Sequence, residues 1–210
     1  MVEFETMHAA GGQLLARRLH AAFRVQPTWR DLLYSVFAML MYACLMLRFA
    51  QWSGLLATMS VDDAPAIAFP RLLLMSVRTL IAPALAEETL WRAMLMPHPR
   101  VERWVSWRLS AWSWGAQIVV SNACYVASHV GIGLLLAQCG RSGAAVIFAD
   151  WRFLFCAAWL GALCSALYYI SGGCVWVPAL VHATIVVIWL SRFGGEHVLS
   201  GGAAGIPTSV

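Results

Sequence analysis

Residues 72–96 have the sequence LLLMSVRTLIAPALAEETLWRAMLM. This stretch is long enough to cross a membrane, because about 20 mostly apolar helical residues span a hydrocarbon core about 30 Å thick. It nevertheless carries Arg78, Glu87, Glu88 and Arg92. A charged side chain at the centre of a bilayer costs about 2.5–3.5 kcal/mol on insertion scales. The stretch therefore predicts a membrane helix that contains a functional site.

The composition of the whole chain also indicates a membrane protein. Of its 210 residues, 61% are hydrophobic and 11% are charged, and the mean hydropathy is +0.72. Soluble domains carry about 25% charged residues, so this chain has too few to cover a globular surface. Composition excludes a soluble enzyme, a disordered tail and a collagen-like rod.

Apolar runs along the chain predict an all-α bundle of about five membrane spans. The third run is long enough to form one helix or a helix broken near Gly131 and Gly133. Asp31 is expected to cap the first span, because acidic side chains satisfy free N–H groups at helix N-termini. The predicted spans cover residues 32–50, 72–96, 109–137, 153–170 and 175–190.

The segments outside the spans predict three regions: 1–30, a membrane domain over 31–193, and a flexible glycine-rich tail over 194–210. Residues 12–24 alternate apolar residues with arginine and histidine, which predicts an amphipathic helix on an anionic membrane face or, equally, a plain soluble leader. The N-terminal region shows no cleavable signal peptide, so the first span is expected to remain in the mature protein.

The distribution of charge predicts the membrane topology. All 14 basic residues are arginines, and none of them form a block typical of nucleic-acid binding, so no nucleic-acid partner is expected. By the positive-inside rule, the arginines before residue 31 and those at 100–108 lie in the cytoplasm, and the acidic loop at 62–63 lies outside. We expect an integral protein of a bacterial inner (plasma) membrane, with its N-terminus in the cytoplasm and the lipid bilayer as its surroundings.

The two adjacent glutamates of the second span are expected to have different roles. Glu88 and Arg92 lie four residues apart on one helix face and can pair. Glu87 is rotated by about 100° from Glu88, so its carboxylate stays free for another task. The alternative is a purely structural ion-pair cluster that holds helices together.

Two further spans contribute histidines. Tyr125 and His129 share a helix face, and Asn122 extends the same stripe. His182 lies in the last apolar span. Each histidine alone is compatible with ordinary packing. Two acids and two histidines on three spans together predict a functional site.

Each of two prolines precedes a candidate site residue by four positions: Pro83 before Glu87, and Pro178 before His182. Proline removes one helix hydrogen bond, which membrane helices tolerate where protein or water satisfies the freed carbonyl. Both prolines fit helices that open beside a hydrated site, and both equally fit ordinary kinks.

These residues resemble the intramembrane glutamic proteases grouped as CAAX prenyl endopeptidases and bacteriocin-processing or immunity proteins. The family pattern is Glu-Glu-x-x-x-Arg, then an aromatic residue-x-x-x-His, then His-x-x-x-Asn or Asp, on successive membrane helices. The resemblance covers residues 87–186. The matching residues are Glu87, Glu88, Arg92, Tyr125, His129 and His182.

The third motif departs from the family pattern at Val186, where the pattern has Asn or Asp. In the family that side chain works beside the histidine in holding the oxyanion, so its loss puts full activity in doubt. Asn122 or Thr184 are candidate substitutes. Some small bacterial branches associated with sorting of proteins that carry short C-terminal membrane anchors also vary at this position.

The resemblance implies a membrane-embedded peptidase that needs no metal or other cofactor and cleaves a membrane-anchored peptide or protein. Glu87 is then the general base that activates water, and His129 orients the water or protonates the leaving amine. His182 donates to the oxyanion. The supporting residues are Glu88, Arg92, Tyr125 and Asn122.

Three alternatives stay open at this point. Glu87, His129 and His182 could bind a catalytic zinc ion, although the chain has no HExxH motif. A non-catalytic membrane chaperone or immunity protein with the same fold is supported by Val186. A transporter with a proton relay fits poorly, because about five spans do not form two matching halves.

Overall fold

The computed structural model describes residues 2–58, 67–102 and 111–199. Within these ranges the chain is almost entirely helical and contains no strand, which confirms the predicted all-α bundle. The helices are α1 (Val2–Arg24), α2 (Trp29–Trp52), α3 (Leu55–Thr58), α4 (Phe69–Met94), α5 (Ala111–Gln138), α6 (Ser142–Ala149), α7 (Trp151–Ile170), α8 (Trp176–Arg192) and α9 (Gly195–Leu199).

Four of these helices, α2, α4, α5 and α7, are long and apolar enough to cross a membrane, and α8 is a shorter apolar helix of 17 residues. They correspond to the five predicted spans. Large apolar side chains cover their outer faces, including Phe37 and Leu135, which are more than 60% exposed. Such surfaces are stable in lipid and not in water. The chain is an integral membrane protein.

The structure decides between the two forms that the sequence allowed for the third span. Residues 111–138 form one continuous helix, α5, which passes through Gly131 and Gly133 without a break. Gly133 serves packing: a Cβ there would lie 2.8 Å from Cβ of Phe148 on α6. The glycine therefore allows α6 to approach α5 closely.

The start of α2 differs from the sequence-based expectation. The N-cap is Thr28, whose hydroxyl accepts from the backbone N–H of Asp31, 3.3 Å away. Asp31 occupies the third helical position, and its carboxylate accepts from the backbone N–H of Thr28 at 2.7 Å. The two residues form a capping box, in which each satisfies a free N–H of the other. The expectation that Asp31 is the cap itself was wrong by three residues.

Helix α4 is irregular around the two glutamates. Its helical conformation is interrupted at Ala82 (φ −146°, ψ 118°), directly before Pro83. Wide π-helical turns at Leu80–Leu85 and Thr89–Met94 flank the short α-helical turn Ala86–Glu88. π-Turns often occur at functional sites. Glu87 and Glu88 therefore lie on a turn whose direction differs from that of the preceding helix.

Pro178 has a different role from Pro83. Helix α8 begins at Trp176, so Pro178 lies in its first turn, where a missing N–H leaves no helix hydrogen bond unmade. The proline starts α8 instead of opening it beside His182. Helix α8 packs against α2, α4, α7 and α9, and this central position explains why its first half is buried.

Helix α1 is attached to the membrane domain at its C-terminal end. The carbonyl of Ala22 accepts from Val175 N at 3.2 Å, and that of Phe23 accepts from Trp176 Nε1 at 3.2 Å. Arg18 binds the Glu102 carboxylate through Nε and Nη2, at 2.6 and 2.7 Å. The N-terminal segment is therefore a helix fixed to the loop after α4 and to the start of α8.

A buried histidine lies beside this ion pair. The His98 side chain is fully buried, and its Nδ1 accepts from the backbone N–H groups of Arg100 and Val101, at 3.1 and 3.3 Å. Burial, followed by the Arg100 cation, lowers the pKa of His98. This end of the bundle thus favours the neutral imidazole.

The C-terminal region begins with ordered structure. Residues 195–199 form α9, and Val198 is buried against the apolar cluster that contains Ile147 and Phe148. The predicted tail therefore starts with a helix, while residues 200–210 lie outside the described residues, as do the 62–63 loop, Arg103 and Arg108. The division into three regions stays a prediction.

Candidate active site

The innermost group of the candidate site is the Glu88 carboxylate. The side chain is fully buried. Its Oε1 accepts from Arg92 Nη1 at 3.2 Å and lies 2.9 Å from His182 Nδ1. The pair with Arg92 is the one that the helix spacing predicts. A buried carboxylate in such contacts is fixed in place and has little freedom to react.

Arg92 connects three helices around Glu88. Its Nη2 donates to the Gly161 carbonyl of α7 at 2.8 Å. Its guanidinium carbon lies 4.7 Å from the ring centre of Tyr125 on α5. A cation over an aromatic face is attracted by the π electrons, and more strongly in a desolvated site. Arg92 thus holds α4, α5 and α7 together at the level of the site.

The contact with Glu88 determines which His182 nitrogen carries a proton. An ionised carboxylate can only accept hydrogen bonds, so His182 Nδ1 must be the donor. Nε2 then points away from Glu88, and it lies 3.9 Å from Glu87 Oε2. In the neutral imidazole this Nε2 is an acceptor, and only the imidazolium donates from it.

Glu87 is the carboxylate that reaches the cavity. Its side chain is 16% exposed, and its Oε2 has no hydrogen-bond partner in the described part of the protein. The distance to His182 Nε2 is too long for a hydrogen bond. Oε2 of Glu88 also has no partner among the described residues, but Glu88 is fully buried and does not line the cavity. Of the two adjacent glutamates, Glu87 is therefore the one that can accept a proton from a molecule in the cavity.

His129 lies on α5, one helical turn after Tyr125. Its Nδ1 is 2.9 Å from the Tyr125 carbonyl four residues earlier, so Nδ1 donates and Nε2 is left as an acceptor. The rings of Tyr125 and His129 meet edge to face with centres 4.8 Å apart. Phe148 and Phe153 contact the other edges of the imidazole. The aromatic cage fixes the orientation of His129.

These groups border one cavity of about 500 Å³ between α2, α4, α5, α7 and α8. Most of its wall is formed by Leu, Ile, Met, Phe and Ala side chains. The polar site residues on the wall are Glu87, Tyr125, His129 and His182. Binding sites are typically apolar cavities with a few convergent polar groups. The arrangement suits an apolar molecule whose one polar bond lies beside Glu87.

A family comparison agrees with this geometry. The model of the Type II CAAX prenyl endopeptidase Rce1-like family matches residues 69–188, which is more than half of the chain. The chain belongs to this family. The resemblance inferred from the motifs is confirmed, and at family level the protein is a CAAX-type intramembrane protease. None of the curated proteins and none of the solved structures matches the chain.

The Rce1-like match includes position 186, where the expected Asn or Asp is missing. Val186 lies on the cavity wall with His182. Thr184 is exposed, and its hydroxyl donates to the Leu180 carbonyl of its own helix at 2.8 Å. Asn122 is not among the residues that line the cavity, and its Nδ2 donates to the Ala158 carbonyl at 3.2 Å. Both candidate substitutes therefore hold other hydrogen bonds.

Gly161 is a site residue that the sequence analysis missed. Its carbonyl accepts from Arg92, and a Cβ there would overlap Asn122 Oδ1 and lie 2.8 Å from Tyr125 Cδ1. Only glycine allows α5 and α7 to approach this closely. The one signal in the sequence was a glycine inside an otherwise apolar span.

The structure also bears on the zinc alternative. In the part of the chain that the structure describes, no group of three or more His, Cys, Asp or Glu side chains is arranged to hold a metal ion. Glu87, His129 and His182 border the same cavity. Their donor atoms do not form a ligand set there.

Proposed function

We propose that this Rce1-like protein hydrolyses a peptide bond of a membrane-anchored substrate, with Glu87 as the general base. The observation that supports this proposal is the division between the two glutamates. Glu88 is fully buried between Arg92 and His182 and does not line the cavity, whereas Glu87 does. A base must reach the proton that it removes, and of the two glutamates Glu87 is the one that borders the cavity.

The proposed reaction begins with a water molecule beside Glu87. The carboxylate removes one proton, and the water oxygen attacks the carbonyl carbon of the scissile bond. The Nε2 lone pair of His129 accepts the second hydrogen bond of this water and orients it. When the tetrahedral intermediate collapses, the C–N bond breaks and the proton held by Glu87 passes to the amine.

His182 is held in a fixed orientation for this reaction. Its Nδ1 donates to Glu88, so Nε2 faces Glu87 and the cavity. It donates to an oxyanion only as the imidazolium. We therefore assign His182 a conditional role as an oxyanion donor, and Glu88 and Arg92 the role of positioning it. No metal or other cofactor takes part in these steps.

The apolar wall favours a hydrophobic substrate segment. We propose that the substrate is a membrane-anchored peptide or protein, for example one with a short C-terminal sorting anchor. We place the catalytic domain at residues 31–193, in a bacterial inner membrane. The arginines near α1 and the start of α2 support a cytoplasmic N-terminus.

A second candidate function rests on Val186. This apolar residue lines the cavity where the family pattern supplies an oxyanion donor. Removal of one such donor typically lowers the rate by about 10² to 10³. If the loss of this donor abolishes catalysis, the protein acts instead as a non-catalytic chaperone or immunity protein that binds apolar segments in the same cavity.

Hydrolysis in ¹⁸O water separates the two functions. The purified protein is placed in liposomes with a panel of single-span peptides, and the products are mapped by mass spectrometry against liposomes without protein. A protease gives one defined cleavage per accepted peptide, with ¹⁸O in the new carboxyl group. Peptides that bind the protein and stay intact would contradict the proposed function and favour the chaperone.

A further inference from the structure

We propose that the Tyr125 hydroxyl donates the oxyanion hydrogen bond that is missing at position 186. The inference rests on the proposed protease function and adds a catalytic residue to it. Tyr125 occupies the aromatic position of the second motif. Any aromatic residue supplies a ring at this position, but only tyrosine also supplies a hydroxyl group.

The described site has a shortage of hydrogen-bond donors. Glu87 is an acceptor, and His129 uses its Nδ1 proton on the Tyr125 carbonyl. His182 uses its Nδ1 proton on Glu88. A tetrahedral intermediate carries a negative oxygen that needs at least one donor in place. The neutral imidazoles therefore leave this role to another side chain.

Tyr125 is at the centre of the site. Its ring lies 4.7 Å from the Arg92 guanidinium carbon, and its centre is 4.8 Å from the His129 ring and 5.9 Å from the His182 ring. The residue lines the cavity, although only 1% of its surface is exposed. Tyr125 therefore borders the same cavity as Glu87, His129 and His182.

The Tyr125 hydroxyl is also free to donate. None of the described residues accepts a hydrogen bond from it. By contrast, the Tyr168 hydroxyl on α7 is fully buried and also has no partner in the described part of the chain. Tyr125 lines the cavity, and its hydroxyl is the group of this side chain that can donate to a substrate oxygen.

The neighbours of Tyr125 hold the ring in this position. Arg92 covers one face, and the missing side chain of Gly161 lets the edge of the ring pack against α7. A donor that is already oriented needs no rearrangement when charge develops. When the carbonyl π electrons move onto oxygen during attack, the Tyr125 O–H donates to that oxygen and keeps its proton. The proton removed by Glu87 goes to the amine as before.

The test is the Tyr125→Phe variant, which removes one oxygen atom and keeps the ring. We expect kcat to fall by about 10² to 10³, the usual effect of losing an oxyanion donor, with little change in KM. The melting temperature in detergent should equal that of the wild type. Tyr168→Phe is the matched control, because it also removes a buried hydroxyl that has no partner, and it should keep full activity.

A second variant tests whether an amide at position 186 can replace the Tyr125 hydroxyl as the oxyanion donor. Val186→Asn in the wild-type background should change kcat little. The same substitution in the Tyr125→Phe background should raise kcat at least about tenfold, toward the wild-type value. If Tyr125→Phe keeps wild-type kcat while Glu87→Gln is inactive, the Tyr125 inference is wrong and the proposed function stands. If no peptide is cleaved in a Glu87-dependent manner, the proposed function fails and the inference fails with it.

Discussion

His182 donates through Nδ1 to the Oε1 atom of Glu88, 2.9 Å away, although the two residues are 94 positions apart in the chain. The contact joins α8 to α4 inside the membrane domain. Glu87, the neighbour of Glu88, is the only one of the two acids that borders the cavity. The adjacent glutamates therefore lie in different environments.

Glu88→Gln should destabilise the protein. The substitution leaves the Arg92 cation buried without its counter-charge, and breaking a buried ion pair from one side costs about 3–5 kcal/mol. Thermal unfolding in detergent should show a clear loss relative to Glu87→Gln, which removes a charge that has no such pair. A Glu88→Gln variant that is as stable as the wild type and inactive would show that the roles of the two glutamates are reversed.

Gly161→Ala should lower both stability and activity. The added Cβ would overlap with Asn122 and with the Tyr125 ring, and overpacking of a core costs about 1–3 kcal/mol. Gly131→Ala is the matched control, since a Cβ at that position of α5 meets no atom within 4 Å. Equal melting temperatures for the two variants would contradict the close approach of α5 and α7.

Chelators test the zinc alternative. We expect cleavage to continue in excess EDTA or phenanthroline, because the proposed mechanism uses Glu87 as the base and His129 to orient the water and needs no metal ion. The same preparation is then supplied with zinc as a control for non-specific effects. Loss of activity on chelation, followed by recovery with zinc, would instead support a metal-dependent mechanism.

His98 should make stability depend on pH. Because its pKa is lowered in the fold, the unfolded chain binds more protons than the folded protein between that lowered pKa and about 6.5. The stability contribution is complete above this range and decreases as the pH falls through it. Melting temperatures measured between pH 5 and 7.5 should therefore decrease toward acid.

The control for this pH dependence is His98→Asn, in which an amide oxygen can accept from the same two backbone N–H groups. This variant should lose part of the acid destabilisation, while the neighbouring Arg18 and Glu102 stay in place. An identical pH profile for wild type and His98→Asn would show that other groups cause the effect.

Helix positions and the pairing within α4 were largely predictable from sequence. The five spans follow from apolar length, and the Glu88–Arg92 pair follows from the four-residue spacing. The contacts between helices were not predictable from sequence, because the spacing of residues within one helix does not determine which of its faces packs against which neighbouring helix. The bond from His182 to Glu88 and the packing of Gly161 against Tyr125 depend on how α5, α7 and α8 are arranged.

Local backbone details were also beyond the sequence. Thr28 and Asp31 are both acceptable caps, and only the start of α2 distinguishes them. Pro83 and Pro178 share the same offset from a site residue, yet one interrupts α4 and the other starts α8. The difference arises because Pro178 lies in the first turn of its helix and Pro83 lies well inside its helix. The apolar composition of a span does not show at which residue its helix begins.

The most direct measurement of the central claim is the initial cleavage rate of Glu87→Gln relative to wild type, at equal folded fraction in liposomes. Glutamine keeps the shape of the side chain and cannot accept the proton of water, so the rate should fall by at least about 100-fold, as general-base contributions do. The melting temperature should stay close to that of the wild type. A variant that keeps more than about a tenth of the wild-type rate would contradict the assignment of Glu87 as the base.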